Sequence, residues 1–392
     1  MKRMMILFAV GCAPTPGDDP CGGEPSATVL PGPVVLDGPC GNDVDAPTRL
    51  LVTTTDFSTG AVSVVDVGTM TVAKDVALGT TDAIPTHTDG LAVLVHRYRF
   101  DRVELLDPAN AWTKVADIPI TASCTDAPNP QSIVFAPDGR GYVTQLDVPE
   151  IAIVDRASSS TVGAIDMRGV PDDDGNPDLG TSIACGSIMW AVVQRLDPDY
   201  ARIGPDELVA IDMIAAQPID LDASKDGVQG LRSEGAWLRQ LRRDPGDASG
   251  HTVLALSTGL ERFDLAAGMV SWAVPPARFA AAGIADLPQP QAFAMNETGT
   301  LAYVAAYDAD FGQVQLYEVG LDDAAPQVPR SFAQGHDSVE RTLERIGEQL
   351  WYGSTRRTAP GLFVFDLRGD PPTQIAGPLS VGLPPFSLVA MP

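Results

Sequence analysis

A run of oxygen-bearing side chains between residues 172 and 178 is the part of the sequence best suited to hold a cation. Asp172, Asp174, Asn176 and Asp178 occupy alternate positions, and a glycine stands among them. Carboxylate and amide oxygens with this spacing around a glycine turn form the ligand pattern that Ca²⁺ takes in proteins. We therefore expect a calcium site on these four residues. A solvated acidic turn before a proline would have the same sequence.

Other groups able to do chemistry are scattered along the chain. The four histidines (His87, His96, His251 and His336) lack the close spacing of metal ligands, and the sequence contains neither G-x-S-x-G nor H-E-x-x-H. Arginines cluster at residues 239–243 and 356–357, where ion pairing within an acidic protein is the expected role. No catalytic set is therefore predicted from these residues.

The first twelve residues have the order of an export signal. Lys2 and Arg3 precede a short apolar segment, and Gly11 and Cys12 follow it. This order resembles a bacterial lipoprotein signal, in which the cysteine is lipidated and becomes the mature N-terminus. An ordinary signal peptide or a misplaced start codon would look similar. We expect export, with residues 1–12 as the signal and Cys12 as the lipidated residue.

Residues 13–48 are rich in Pro, Gly and Asp and show no apolar periodicity, which predicts a tether without a core of its own. Two cysteines of the tether, Cys21 and Cys40, are expected to pair with each other in an oxidising compartment. The four cysteines after Cys12 allow three pairings, so other bonds stay open. Cys124 and Cys185 are predicted on opposite faces of the ring, so either the strand boundaries are displaced or the two are buried free thiols, and we favour the absence of a bond between them.

Composition limits the classes of function. The 392 residues carry 51 Asp and Glu against 26 Lys and Arg, a formal net charge of −25, and 44% are hydrophobic. Such a chain folds around a large core, and its charge disfavours both nucleic acid and anionic lipid headgroups. No apolar run reaches the ~20 residues that span a bilayer. Few His and Cys are available for a redox metal centre.

A repeat of about fifty residues organises the rest of the chain. Its first marker is an apolar strand that ends in an acid, and seven copies end at Asp66, Asp107, Asp155, Asp212, Asp264, Glu318 and Asp366. An acid there is expected to cap the following turn rather than to join a ring of carboxylates. The second marker is a glycine turn, with copies at Gly90, Gly139, Gly186, Gly235, Gly299 and Gly347. Each repeat reads as four short antiparallel strands.

The first repeat lacks its inner strand, and the last segment of the chain supplies one. Residues 385–391 resemble the inner strands at 130–136 and 290–295. Pairing of the last strand with residues 50–54 would close the sheets into a ring and protect their edges. The sequence predicts an all-β, seven-bladed β-propeller over residues 49–392.

One repeat carries a resemblance to a known family. Residues 136–145 (APDGRGYVTQ), followed by residues 151–155 (IAIVD), are similar to the repeat of secreted YVTN-type propellers, relatives of the lactonase-like seven-bladed group. Gln145 stands where that family has Asn. The resemblance implies the propeller fold, while its activity does not follow because propellers host unrelated functions.

Loop lengths indicate which face of the ring carries the functional site. Long links are expected between second and third strands, at residues 196–206 and 244–251. Others are expected between blades, at residues 121–129, 168–180, 274–289 and 326–339. In an up-and-down blade both kinds emerge on one face, where binding residues usually lie. The alternative, that the long loops are tolerated insertions without a function, stays open.

These observations predict an exported, lipid-anchored, monomeric propeller that acts as a binding or scaffolding module at the bacterial cell envelope. Its ligand would be a protein, a glycan or a small molecule on the long-loop face, with no nucleic acid and with the membrane reached only through the anchor. Ca²⁺ is the one cofactor expected. The alternative is a metal-dependent, lactonase-like hydrolase with its site near the central channel.

Overall fold

The computed structural model describes residues 29–41, 44, 46–125, 127–284, 290–308, 310, 312–321, 328–337 and 341–392. A two-residue strand, β1 (Leu30–Pro31), precedes the repeats. Blade 1 then supplies β2 (Arg49–Thr55), β3 (Gly60–Asp66) and β4 (Thr71–Gly79). Blade 2 contains β5 (Ala83–Thr88), β6 (Leu91–His96), β7 (Arg102–Asp107), a 3₁₀ turn (Pro108–Asn110) and β8 (Thr113–Pro119). Blade 3 contains β9 (Pro130–Phe135), β10 (Gly141–Gln145), β11 (Glu150–Asp155) and β12 (Ser160–Asp166).

Blades 4 to 7 follow the same order. Blade 4 contains β13 (Leu179–Cys185), β14 (Ile188–Val193), β15 (Glu207–Asp212), β16 (Gln217–Asp220) and β17 (Leu231–Arg232). Blade 5 contains β18 (Gln240–Arg243), β19 (Thr252–Leu256), β20 (Leu260–Asp264) and β21 (Met269–Val274), followed by helix α1 (Pro276–Ala281). Blade 6 contains β22 (Pro290–Met295), β23 (Leu301–Tyr307), β24 (Val314–Gly320) and β25 (Arg330–His336). Blade 7 contains β26 (Leu343–Ile346), β27 (Gln349–Ser354), β28 (Gly361–Asp366) and β29 (Thr373–Leu379), and β30 (Pro385–Met391) ends the chain.

The predicted closure of the ring is confirmed. Strand β30 pairs antiparallel with β2, with Leu50 opposite Ala390 and Leu51 opposite Val389. The Thr48 N–H donates to the Met391 carbonyl over 3.0 Å, which extends the pairing to the edge of the blade. The last strand is therefore the inner strand of blade 1.

Each blade packs against its neighbours through apolar side chains on both faces of its sheet. The described residues contain seven buried clusters, and each joins two adjacent blades, including one between blade 7 and blade 1. Large side chains such as Trp351 and Phe365 are fully buried in this packing. Burial of one such side chain contributes about 1.5–3 kcal/mol, so the ring is stabilised mainly between blades.

The acids and glycines that mark the repeat stabilise the turns at the ends of the strands. Six of the seven acids accept hydrogen bonds from backbone N–H groups two or three residues ahead, as predicted for turn caps; they are Asp66, Asp107, Asp155, Asp212, Asp264 and Asp366. Glu318 instead pairs with Arg330. Gly90 and Gly139 have φ values of +77° and +88°, which a residue with a Cβ adopts at a cost.

Two predicted boundaries in the repeat are wrong. Gly235 does not form the inner turn of blade 5, because residues 244–251 connect β18 to β19 there. That link therefore lies on the face opposite to the one expected. Residues 326–339 were expected to form a loop, yet they include β25. This outer strand has solvent on one side and carries polar residues, so its sequence lacks an apolar pattern.

Part of the predicted tether is folded against the propeller, so the prediction is wrong for residues 29–41, which we call the strap. Strand β1 pairs in parallel with β16 at the edge of blade 4. Leu30, Val34 and Leu36 pack into the cluster between blades 4 and 5. At its end, the Gly41 N–H donates to the Ala184 carbonyl of an inner strand. The strap buries apolar side chains on an existing core, which its composition alone did not show.

The predicted bond between Cys21 and Cys40 is wrong, because Cys40 is bonded to Cys185. Hydrogen bonds from the Cys40 N–H to the Gly250 carbonyl and from the Gly41 N–H to the Ala184 carbonyl hold the strap beside the turn that contains Cys185. The expectation that Cys124 and Cys185 do not bond to each other is confirmed. Cys124 is also disulfide-bonded, so the free-thiol interpretation is wrong for both. Cys12 and Cys21 lie outside the described residues.

None of the helices in the described residues has the length and apolarity to cross a bilayer.

Candidate functional site

The two faces of the ring differ in loop content. The links from second to third strands and from one blade to the next emerge together on what we call the long-loop face. The described residues of three predicted inter-blade loops, those at 121–129, 168–180 and 274–289, lie there, as does the link at residues 196–206. The strap ends on the opposite face, where Gly41 helps to line the central channel.

Exposed aromatic side chains concentrate on the long-loop face. In the described part of the chain they are Phe57, Tyr98, Phe100 and Tyr200, and all four stand in links between second and third strands. These links belong to blades 1, 2 and 4. The sequence analysis did not identify them. The signal was available, since aromatic residues in the polar segments at 97–101 and 197–201 serve no core strand.

Half-buried carboxylates on blades 2 and 3 are hydrogen-bonded into the loops that carry Tyr98 and Tyr200. Asp101 Oδ1 accepts from the Asn129 N–H over 3.1 Å, and the Asn129 side chain accepts from the Tyr98 N–H over 3.1 Å. The Tyr200 hydroxyl donates to Asp147 Oδ1 over 3.3 Å. Loops from three blades are thus tied into one acidic, aromatic surface.

Burial shifts the titration of this cluster. Removal from solvent raises the pKa of Asp147 to about 6 and that of Asp172 to about 7. Burial, together with repulsion from Asp174, Asp172 and Asp147, raises the pKa of Asp178 to about 8. Burial and the neighbouring Asp147 raise the pKa of Tyr200 to about 12. Near neutral pH the cluster therefore holds protons that isolated carboxyls would have lost.

The stability of the metal-free protein is expected to fall between pH 5 and pH 8. A carboxyl whose folded pKa lies above its unfolded value favours the folded state at low pH, and this contribution is lost as the pH rises through the folded pKa. In Asp178→Asn the free energy of unfolding should therefore decrease less between these two pH values, by a few kcal/mol. The measurement is urea unfolding in EDTA at both pH values. Asp173→Asn, at an exposed position of the same loop that does not raise the pKa of Asp178, is the control. An unchanged pH dependence in Asp178→Asn would contradict the argument.

The predicted calcium residues share one loop but use their oxygens within the protein. The Asn176 N–H donates to Asp174 Oδ1 over 2.9 Å, and the Leu196 N–H donates to Asp178 Oδ2 over 2.6 Å. Asp172 Oδ2 and Asn176 Oδ1 are buried without a hydrogen-bond partner. Within the described residues, no three His, Cys, Asp or Glu side chains are arranged to hold a metal ion. Calcium binding stays a prediction.

The central channel contains a small polar cavity of about 180 Å³. Arg242 of blade 5 forms a two-pronged ion pair with Glu344 of blade 7, with nitrogen–oxygen distances of 2.7 and 3.1 Å. This pair spans blade 6, and Arg341 and His87 line the same cavity. The arginine segment at 239–243 is thus ion-paired at Arg242, as the sequence predicted.

The histidines lie apart. His96 is fully buried between Thr80 and Glu104, at 2.9 and 3.2 Å, in an arrangement without solvent access. His336 packs on Tyr352 and Phe363, and burial lowers its pKa to about 4. His96 is held within blade 2 by Glu104, whereas His336 packs blade 6 against blade 7, and neither contacts the acidic cluster.

Comparison with known proteins supports the architecture. No family model matches the chain, and no curated protein matches it. Two solved structures, candidate 6-phosphogluconolactonases from Bacteroides uniformis and Bacteroides fragilis, align with TM-scores of 0.59 and 0.57 at 8% and 14% identity. The alignments cover 88% and 89% of this chain and 99% of each of those chains. A protein from Lactobacillus plantarum aligns with a TM-score of 0.52 at 10% identity, over 87% of this chain and 98% of that chain. Identities this low show the fold alone: the chain is a seven-bladed β-propeller.

Proposed function

We propose that this chain is an exported propeller that binds a partner protein through its long-loop face. The observation that carries the proposal is the placement of Phe57, Tyr98, Phe100 and Tyr200 on that face, where Tyr200 donates a hydrogen bond to the half-buried Asp147. Aromatic anchors are enriched where proteins bind one another. The acidic surroundings favour a partner with a basic surface.

Export and anchoring belong to the same proposal. The bond between Cys40 and Cys185 is supporting evidence, since disulfides persist in oxidising compartments. Lipidation at Cys12 would attach the chain to the envelope membrane. Labelling with radioactive palmitate in a bacterial host tests this step. The Cys12→Ala variant should incorporate no label and should no longer be recovered with the membranes. Equal labelling of the Cys12→Ala variant would remove the anchor from the proposal.

Photocrosslinking in cells tests the binding face. A photoreactive phenylalanine at Tyr200 should give discrete protein adducts. The matched control is Ile214 on the opposite face of the same blade, because the two side chains are 53% and 54% exposed. Adducts from position 200 and none from position 214 support the proposal. Identical adducts from both positions, or none from position 200, would overturn it.

Calcium at the acidic loop is proposed as a stabiliser of the face rather than as a catalyst. Two buried oxygens without partners, Asp172 Oδ2 and Asn176 Oδ1, support this step. Excess Ca²⁺ is expected to raise the Tm at pH 8 relative to EDTA, since a ligand selective for the folded state stabilises it. Asp172→Asn should abolish the increase. Equal Tm values with Ca²⁺ and EDTA would end the calcium hypothesis.

A second candidate is a metal-dependent hydrolase that acts on lactones in the channel. The observation that favours it is the polar cavity lined by Glu344, Arg242 and His87. A carboxylate can hold a divalent cation, and an arginine can stabilise the charge on a reacting oxygen. Hydrolysis of glucono-δ-lactone with Mg²⁺ or Mn²⁺ tests it. The rate should exceed spontaneous hydrolysis and should fall in Glu344→Gln; no excess rate would eliminate this candidate.

A further inference from the structure

A second cavity lies on the side of the ring between blades 4 and 5, away from the channel. Its volume is about 720 Å³, within the range typical of small-molecule sites. The strap forms one wall through Gly32, Pro33 and Val34. Because the bond between Cys40 and Cys185 holds the end of the strap, this wall is fixed to the propeller.

Three buried polar atoms without hydrogen-bond partners belong to residues that line this cavity. They are Trp190 Nε1, Arg195 Nε and Glu207 Oε2. Trp190 is fully buried, and Glu207 is only 7% exposed. The other Glu207 oxygen pairs with an Arg195 nitrogen over 3.0 Å, which fixes both side chains. A buried polar atom without a partner is costly, so a ligand that supplies partners to these two donors and one acceptor would bind favourably here.

The charges around the cavity identify the class of ligand. Its lining contains three cations, Arg195, Lys225 and Arg232, and three anions, Glu207, Asp222 and Asp226. This balance favours a neutral molecule over an anion or a cation. A hydroxyl group can donate to Glu207 Oε2 and also accept from a Trp190 or Arg195 N–H. Pro33, Leu221 and Leu265 provide apolar walls for the carbon face of a sugar ring.

We infer that the cavity between blades 4 and 5 binds a neutral carbohydrate of one or two rings. Hydroxyl groups of the sugar satisfy the three buried polar atoms, and the strap covers the bound ring. The site is separate from the long-loop face and does not depend on the proposed protein partner.

Isothermal titration calorimetry on the full chain tests this inference. The neutral probes are glucose, maltose and N-acetylglucosamine, and gluconate and glucosamine are their charged counterparts. At least one neutral probe should bind with one-to-one stoichiometry, and more tightly than the charged probes. Trp190→Phe removes one buried hydrogen bond, and Glu207→Gln replaces a charged acceptor with a neutral amide, so each should weaken binding by about tenfold.

Trp351→Phe is the matched control. Trp351 is also fully buried with an Nε1 that has no partner, but it lies in blade 7 and does not line this cavity. Its Kd should stay within about twofold of the native value. If Glu207→Gln fails to fold, Trp190→Phe decides, because it keeps an aromatic ring in place. No saturable binding of any neutral probe, tighter binding of a charged probe, or native affinity in Trp190→Phe would overturn the inference.

Discussion

Removal of residues 385–392 is expected to abolish the cooperative unfolding transition of this protein. The deletion takes away β30 and with it every hydrogen bond that this strand makes to β2. It also removes three buried side chains, Phe386, Leu388 and Met391. Their loss exposes the apolar clusters on both sides of blade 1 to solvent. An exposed strand edge next to a broken core promotes aggregation. Thermal unfolding followed by circular dichroism, together with size-exclusion chromatography, measures the effect.

Two milder variants make this expectation specific. Removal of the exposed Pro392 alone should leave the transition unchanged. Leu388→Ala should keep the fold but cost about 2–5 kcal/mol, because it leaves a cavity in a packed core. A truncated chain that stays monomeric and melts cooperatively at the native temperature would show that the ring does not need its final strand.

Replacement of both Cys40 and Cys185 by Ala is expected to lower the free energy of unfolding by about 2–5 kcal/mol. The bond joins residues 145 positions apart, so its loss releases a long loop in the unfolded chain. The strap should also become sensitive to protease, since only short pairing by β1 and its apolar contacts would then hold it. Urea unfolding and limited proteolysis measure the two effects.

The single variants provide the control for this prediction. Cys40→Ala and Cys185→Ala each break the same bond, so each should cost nearly as much as the double variant. If instead the losses of unfolding free energy in the two single variants sum to that of the double variant, the effect comes from packing of the individual side chains and not from the bond. Reduction with a thiol is a weaker test, because Cys124 is also disulfide-bonded.

The sequence was sufficient to predict the ring because each blade repeats the same local requirements. Apolar strands, glycine turns and acids at strand ends recur, and the resemblance of residues 385–391 to inner strands indicated the closure. The error at Gly235 arose in blade 5, where an eight-residue link replaces a tight turn. A periodicity argument assumes equal spacing and cannot locate such an insertion.

The strap and the candidate sites depended on contacts between distant segments. Leu30, Val34 and Leu36 alternate with exposed residues in the strap, but prolines and glycines conceal this pattern in the sequence. The partner of Cys40 was open because three pairings fit the same cysteines. Trp190, Arg195 and Glu207 come from a strand, a loop and the next strand, and no motif links them. The acidic loop was visible in the sequence, whereas its buried protons follow from packing of three blades.

Closure by β30 has a consequence for how the protein is made. Strand β2 is among the first parts of the propeller to leave the ribosome, and its inner neighbour is the last, with Leu50 and Ala390 separated by almost the whole domain. Blade 1 therefore stays open throughout synthesis, and contacts this distant in sequence form slowly. A nascent chain in this state exposes an unpaired strand and needs protection from its neighbours until β30 has been made.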